Sequence, residues 1–338
     1  MDDRAVTRRR FMQRSAKLTA GLVAGVGAAC NRSAELAGGT RIDASKIRNY
    51  NPNMEYRRLG KTNLMVSAVG LGGHSRANQQ ERNRIVNRCL DIGINYIDST
   101  GGGELHRDLR ALGSRREQVY VALSETGREP RNPEYRTAEK LLNVLDEALR
   151  SAKQEYTDLW RITVYEPGGR HSFNTSHEVM EALEKAKKQG KTRCTGIASH
   201  DRRWFKFMVE YFAGLEVVLF PFTTMTKAAP KDSLFKSLKE CDVGAFGIKP
   251  FAASSLFTGD RRENDRRARL AIRYILHSNT VIPIPGISRV HEADNIAVAV
   301  RERRELDLKE RAELESAGSQ MMAKLPANYR WLRNWQYV

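Results

Sequence analysis

The stretch Gly93-Ile94-Asn95-Tyr96-Ile97-Asp98 decides how the rest of the chain is read. Apolar residues bounded by a glycine and closed by an acid predict a short buried strand. The segment before it, Arg82 to Ile92, has helical periodicity. Moving outward, further strand candidates lie at 118–123, 157–164, 193–198, 216–221, 243–249 and 281–284. Between them, helical patterns occupy 80–92, 104–113, 136–152, 175–189, 202–213, 230–240 and 263–278, and another follows from 290. In the 136–152 segment Leu141, Leu142, Leu145 and Leu149 fall on one apolar face. Ahead of Gly93, Ala68-Val69-Gly70-Leu71-Gly72-Gly73 reads as a first buried strand. Before it, Tyr56 to Ser67 reads as a β-hairpin turning around Gly60 to Asn63. Eight strands, each followed by helical or loop material, predict an α/β protein of the (β/α)8 TIM-barrel class. The hairpin lies at its N-terminal side and an aromatic-rich tail at its C-terminal side. A doubly wound open sheet is the competing architecture, and no GxGxxG follows the first strand to support it.

The order of these pieces resembles the aldo/keto reductases, NADP-dependent oxidoreductase barrels, from about Met54 to Ala299. Tyr56-Arg57-Arg58-Leu59-Gly60 with Val66-Ser67 and Gly70-Leu71-Gly72 is similar to that family's opening hairpin and first strand. Gly93 to Asp98 matches its second strand, Thr157 to Ile162 its fourth, and Gly190 to Ser199 its fifth. Ile282-Pro283-Ile284-Pro285-Gly286 opens the last unit. The resemblance implies hydride transfer supported by a Tyr acid, a Lys, an Asp and an orienting His. Of these Asp98 is present, while Gly103, Ser124 and Thr163 stand where the Tyr, Lys and His are expected. A positioned general acid contributes roughly 10²–10⁴ in rate, so standard carbonyl reduction is not expected.

For the cofactor, the resemblance implies that Ser199 and His200 hold the nicotinamide end, with Leu219 replacing a Gln and Ile248 a stacking aromatic. Gly286, Ser288, Arg289, His291, Asp294 and Asn295 then form the adenosine end of an NADP(H) site. Substitute acid–base chemistry has its own candidates. Arg161 shares strand parity with Thr163, and Lys249 closes its strand at the rim, so either is a cation for Asp98. Tyr165 is a candidate relocated acid, and Glu125 and His106 are weaker ones. The expected readings are a barrel retaining a small-molecule ligand without standard reduction, an oxidoreductase rebuilt around Asp98, Lys249 and Tyr165, or a non-enzymatic ligand- or partner-binding protein.

Domain organisation follows from the termini. Residues 1–30 read as a twin-arginine export signal, with Thr7-Arg8-Arg9-Arg10-Phe11-Met12-Gln13 followed by an apolar run from Leu18 to Ala29. Those twelve residues rise only ~18 Å as a helix, too short for a ~30 Å hydrocarbon core. Cys30 stands where a lipoprotein cysteine would, so the expected location is periplasmic or on the outer face of a membrane. Residues 31–53 read as a linker, 54–320 as the barrel and 321–338 as the tail. Six basic and two acidic residues before Cys30 supply +4 of the formal +17. No nucleic-acid motif appears in the remaining chain, so nucleic acid is not an expected partner. Four scattered cysteines and seven histidines lack CxxC or HxxxH spacing, which predicts neither an iron–sulfur cluster nor a metal site.

Overall fold

The computed structural model describes residues 43–73, 77–164 and 172–338. Residues 1–30, read above as an export signal with Cys30 at its end, and Tyr165 lie outside the described residues. A small antiparallel hairpin, β1 (Tyr56–Arg58) with β2 (Met65–Ser67), precedes a seven-stranded parallel sheet. The sheet runs β3 (Tyr96–Thr100), β4 (Tyr120–Ser124), β5 (Thr157–Thr163), β6 (Thr192–Ala198), β7 (Val217–Pro221), β8 (Gly244–Ile248) and β9 (Ile282–Pro283) in chain order. Neighbours in sequence are thus neighbours in space, as right-handed βαβ units require.

The expected eighth strand, 68–73, is not a ladder strand. It makes isolated bridges from Leu71 to Ile97 and from Gly72 to Gly286. Its backbone donates from Leu71 to the Tyr96 carbonyl and from Gly70 and Gly72 to the carbonyls of Pro283 and Pro285. Two features keep it short. Pro283 and Pro285 have no N–H to return. A Cβ on Gly70 would come within 2.6 Å of Ile284 and 2.8 Å of Tyr96, so the approach tolerates only glycine. The segment nevertheless hydrogen-bonds to both edge strands of the sheet.

Among the described residues the α-helices are α1 (Gln79–Asp91), α2 (Gly102–Leu112), α3 (Ala138–Ala152), α4 (Phe173–Lys188), α5 (Arg202–Tyr211), α6 (Leu234–Glu240), α7 (Arg261–His277), α8 (Val290–Arg301) and α9 (Leu308–Ala323). Helix α3 shows how the sequence places them. Thr137 caps its N-terminus by accepting from the Lys140 amide, and Leu141, Val144, Leu145, Ala148 and Leu149 bury one face. Helix α6 starts four residues later than periodicity suggested, because Ser233 caps it and Pro230 precedes the cap.

Three apolar clusters result among the described residues, one of them packing α7 against α9 and the tail through Leu270, Leu314, Met321 and Leu332. The largest lies between sheet and helices. Another fills the sheet's concave side, where Tyr96, Ala122, Leu159, Leu219 and Phe246 meet Leu59 and Val66 of the hairpin. The hairpin thereby plugs one end. There Asp158, fully buried, is held by Arg48 at 3.1 Å and Arg116 at 2.9 Å. Asn49, from the segment read as a linker, donates to the Leu90 and Ile94 carbonyls, anchoring that stretch to the domain. The opposite end, at the strands' C-termini, is polar.

The tail is docked. Residues Ala327–Trp335 form 3-10 turns, and Trp335 is buried against Phe205 and Phe220. Its indole N–H donates to the His200 carbonyl at 2.9 Å. Val338 exchanges backbone hydrogen bonds with Lys227 and Ala229. Cys89 and Cys194 are buried free thiols, pushed up to about 12 by that burial. No helix among the described residues is long and apolar enough to cross a membrane.

Candidate active site

At the polar end, strand alternation turns Asp98 of β3, Ser124 of β4 and Arg161 and Thr163 of β5 toward one point. Arg161 grips Asp98 with two hydrogen bonds of 2.8 Å, from Nε to Oδ1 and from Nη2 to Oδ2. Nη1 donates to Thr163 Oγ1 at 3.2 Å and Nη2 to Thr100 Oγ1 at 3.3 Å. Both partners of the pair are buried. Burial alone would lower the guanidinium's pKa, but the charge and hydrogen bonds of Asp98 outweigh it and raise it further. Arg161 is therefore the cation for Asp98. Lys249, the other candidate, forms no ion pair with it among the described residues.

Beneath this pair lies a carboxylate that periodicity did not flag. Glu129, 2 % exposed, accepts from Ser124 Oγ at 2.8 Å, the Thr163 amide at 2.9 Å and the Glu125 amide at 2.9 Å. Burial raises its pKa, opposed by the charge of Arg161. Ser124 and Thr163 complete the cluster at 3.1 Å from one another. Tyr96, inward on β3, stacks on Phe246 at 4.2 Å. Its buried hydroxyl lies beside Asp98, and burial followed by the Asp98 charge pushes its pKa well up. Gly103 lies in the first turn of α2, which begins two residues after β3 ends. The connection is too short to carry a side chain back over the mouth.

A cavity of about 740 Å³ opens over this cluster, within the usual range for small-molecule sites. Asp98, Arg161 and Thr163 form its floor, and Ser199, His200, Ile248 and Lys249 one wall. Gly286, Ser288, Arg289, His291 and Asn295 extend it toward the start of α8. The tail adds Tyr329, and the loop after β4 adds Arg131. Neither was expected, although four aromatics within 329–337 were a visible signal for the tail.

The remaining candidates separate clearly. Asp294 does not line the cavity; it pairs with Arg88 at 2.6 Å. Asn295 is committed at both ends, accepting from Arg269 and donating to the Asp265 carbonyl at 2.8 Å each. Glu125 lies outside the cavity near Gly102, and His106 sits on α2 bonded to Ser151 at 2.9 Å. His200 stacks on Trp331 with ring centroids 3.6 Å apart, and burial with the charge of Lys249 pushes its pKa down to about 3. Lys249 has φ +57, followed by Ala252, Ala253 and Ser254 also at positive φ.

At the start of α8, backbone amides point outward as an anion cradle. Glu292 folds back onto them, accepting from Ser288 N at 2.7 Å and Arg289 N at 3.2 Å. The Arg289 side chain lines the cavity beside them. Ser288 and Arg289 supply donors of the kind a nucleotide phosphate takes, and Ser199, His200 and Ile248 line the cavity nearer the strand ends. No group of three His, Cys, Asp or Glu among the described residues could hold a metal ion.

Known proteins carry the same architecture. An aldo-keto reductase of Bacillus halodurans (holo form) superimposes with a TM-score of 0.63 at 22 % identity, over 78 % of this chain and 96 % of that one. An aldo/keto reductase of Klebsiella pneumoniae, solved with NADP and acetate, gives 0.59 at 19 % identity, over 77 % and 94 %. L-galactose dehydrogenase of Arabidopsis thaliana is 28 % identical over 169 residues, 46 % of this chain and 52 % of its own. The chain spans about half the length of the curated relatives it matches. The profile of the aldo/keto reductase family matches residues 67–268, which include the floor of the cavity and most of its wall, and the chain belongs to that family.

Proposed function

We propose that this is an aldo/keto reductase-family (β/α)8 barrel that holds a small-molecule ligand and NADP(H) in its mouth without standard carbonyl reduction. The single observation that carries the reading is the bidentate Arg161–Asp98 pair. In the family's chemistry the Asp supports a Lys, which in turn activates a Tyr. Here its carboxylate is spent on a guanidinium that cannot lose its proton. Ser124 and Thr163 are tied to Glu129, and Gly103 offers no hydroxyl. A mouth lacking its positioned acid forfeits roughly 10²–10⁴ in rate, and a missing oxyanion donor about 10²–10³ more.

NADP(H), when bound, would supply a hydride. This chain's part would be to bind it, with Ser288, Arg289 and His291 at the phosphate end and Ser199 and His200 at the other. Titrating NADPH against tryptophan fluorescence tests this, since Trp331 stacks on His200 at the cavity. Saturable quenching is expected, and a flat titration removes the cofactor from the account. The second reading is an oxidoreductase with rebuilt acid–base groups. It is favoured by Lys249 lying 5.1 Å from the Tyr329 ring centroid, a lysine and a tyrosine together on the mouth.

The domain acts outside the cytoplasm on this reading, exported through Arg8 and Arg9. Replacing both with lysine should leave the protein in the cytoplasmic fraction; unchanged export would refute that route.

A further inference from the structure

We propose that Lys249 is an amine nucleophile that takes an aldehyde or ketone from the mouth of the barrel into a Schiff base. The inference deepens the ligand-binding reading of the same cavity by naming the ligand's class, and it needs no nucleotide.

Position comes first. Lys249 directly follows β8 and lines the cavity whose floor is Asp98 and Arg161, at the rim where the strand ends converge. Among the described residues it is the one lysine of that lining. Many lysines of the described surface find a carboxylate, such as Lys187 on Glu216 at 2.5 Å and Lys191 on Asp146 at 2.6 Å. Lys249 has no ion pair and no side-chain hydrogen bond among the described residues. The acid it was expected to meet is taken by Arg161.

Its surroundings come second. The ammonium nitrogen sits 5.1 Å from the Tyr329 ring centroid and 5.9 Å from that of Trp331, so the docked tail shields it from water on one side. The charged groups that act on it are Arg161 and Arg131, and the titratable His200 and Tyr329 lie beside it. Burial, then Arg161, then Arg131 push its pKa down to about 8, while the two rings favour the cation. An amine desolvated beside other cations is the known route to a reactive lysine. The backbone is consistent with a held geometry. Lys249 sits at φ +57 in a turn closed by the Ala252 amide on its carbonyl at 2.9 Å, a conformation that non-glycine residues adopt at a cost.

The step balances without an oxidant or a reductant. The neutral amine attacks the carbonyl carbon and forms a C–N bond, and the carbonyl oxygen takes up a proton. The carbinolamine then loses its hydroxyl as water and the nitrogen its remaining hydrogen, leaving C=N. The products are the imine and one water.

The test is trapping of the full domain with millimolar glycolaldehyde and sodium cyanoborohydride at pH 6, 7 and 8, followed by peptide mass spectrometry. Lys236, whose side chain is 77 % exposed, serves as the internal reference. A lysine with a pKa near 8 is about a tenth neutral at pH 7, against about one part in 2,500 for an ordinary lysine. The adduct on Lys249 is therefore expected at least about tenfold faster than on Lys236, saturating with aldehyde and accelerating from pH 6 to 8. Lys249→Arg keeps the charge and should melt at the same temperature while losing the fast adduct. Labelling of Lys249 no faster than Lys236, or without saturation, would overturn the proposal. Because NADPH quenching is read separately, its failure leaves this result intact, and the converse holds.

Discussion

Removing Arg161 leaves Asp98 buried with no cation to hold it, and removing Asp98 strands a buried guanidinium. Breaking such a pair from one side costs about 3–5 kcal/mol. Arg161→Met is therefore expected to lower unfolding free energy by that amount in urea titration. The double variant Arg161→Met with Asp98→Leu should recover most of it, since an apolar pair of similar volume needs no compensation. A single variant as stable as the parent would show that the pair is not held as described. Arg161 was readable in the sequence because strand period 2 puts it on the face of Thr163. Glu129 was not, because it lies in an irregular loop where no period applies, and beside its local donors Ser124 and Glu125 it takes the Thr163 amide from a strand 34 residues on.

Among elements, the start of α8 decides what the outer end of the cavity accepts. Glu292 presents a negative charge to the same amides that a phosphate would use. Glu292→Gln is expected to tighten NADPH binding several-fold in the fluorescence titration. Arg289→Ala should weaken NADPH about tenfold while changing NADH little, since a hydrogen bond to a charged group contributes about 1.5–3 kcal/mol. Equal losses for both nucleotides would place Arg289 away from the 2′-phosphate. Element type was legible wherever a long apolar face existed, as in α3. It failed at 68–73, where glycines permit close approach but Pro283 and Pro285 deny the ladder its donors. The docked tail was legible as an aromatic cluster, but not the placement of Tyr329 and Trp331 beside Lys249, which depends on where the chain returns.

For the molecule as a whole, the architecture sets three layers along the axis of the sheet. The hairpin and the buried Asp158 cluster close one end, apolar side chains fill the middle, and the polar strand ends form the mouth. The mouth is the layer that the proposed function concerns, and there Asp98 is paired with Arg161. The most direct measurement is rapid mixing of the purified domain, preloaded with NADPH, with a panel of aldehydes and ketones while nicotinamide absorbance is followed. No carbonyl-dependent loss of the reduced cofactor is expected within several minutes. Oxidation of bound NADPH at about 1 s⁻¹ or faster with any member of the panel, a rate ordinary for an enzyme, would contradict the account.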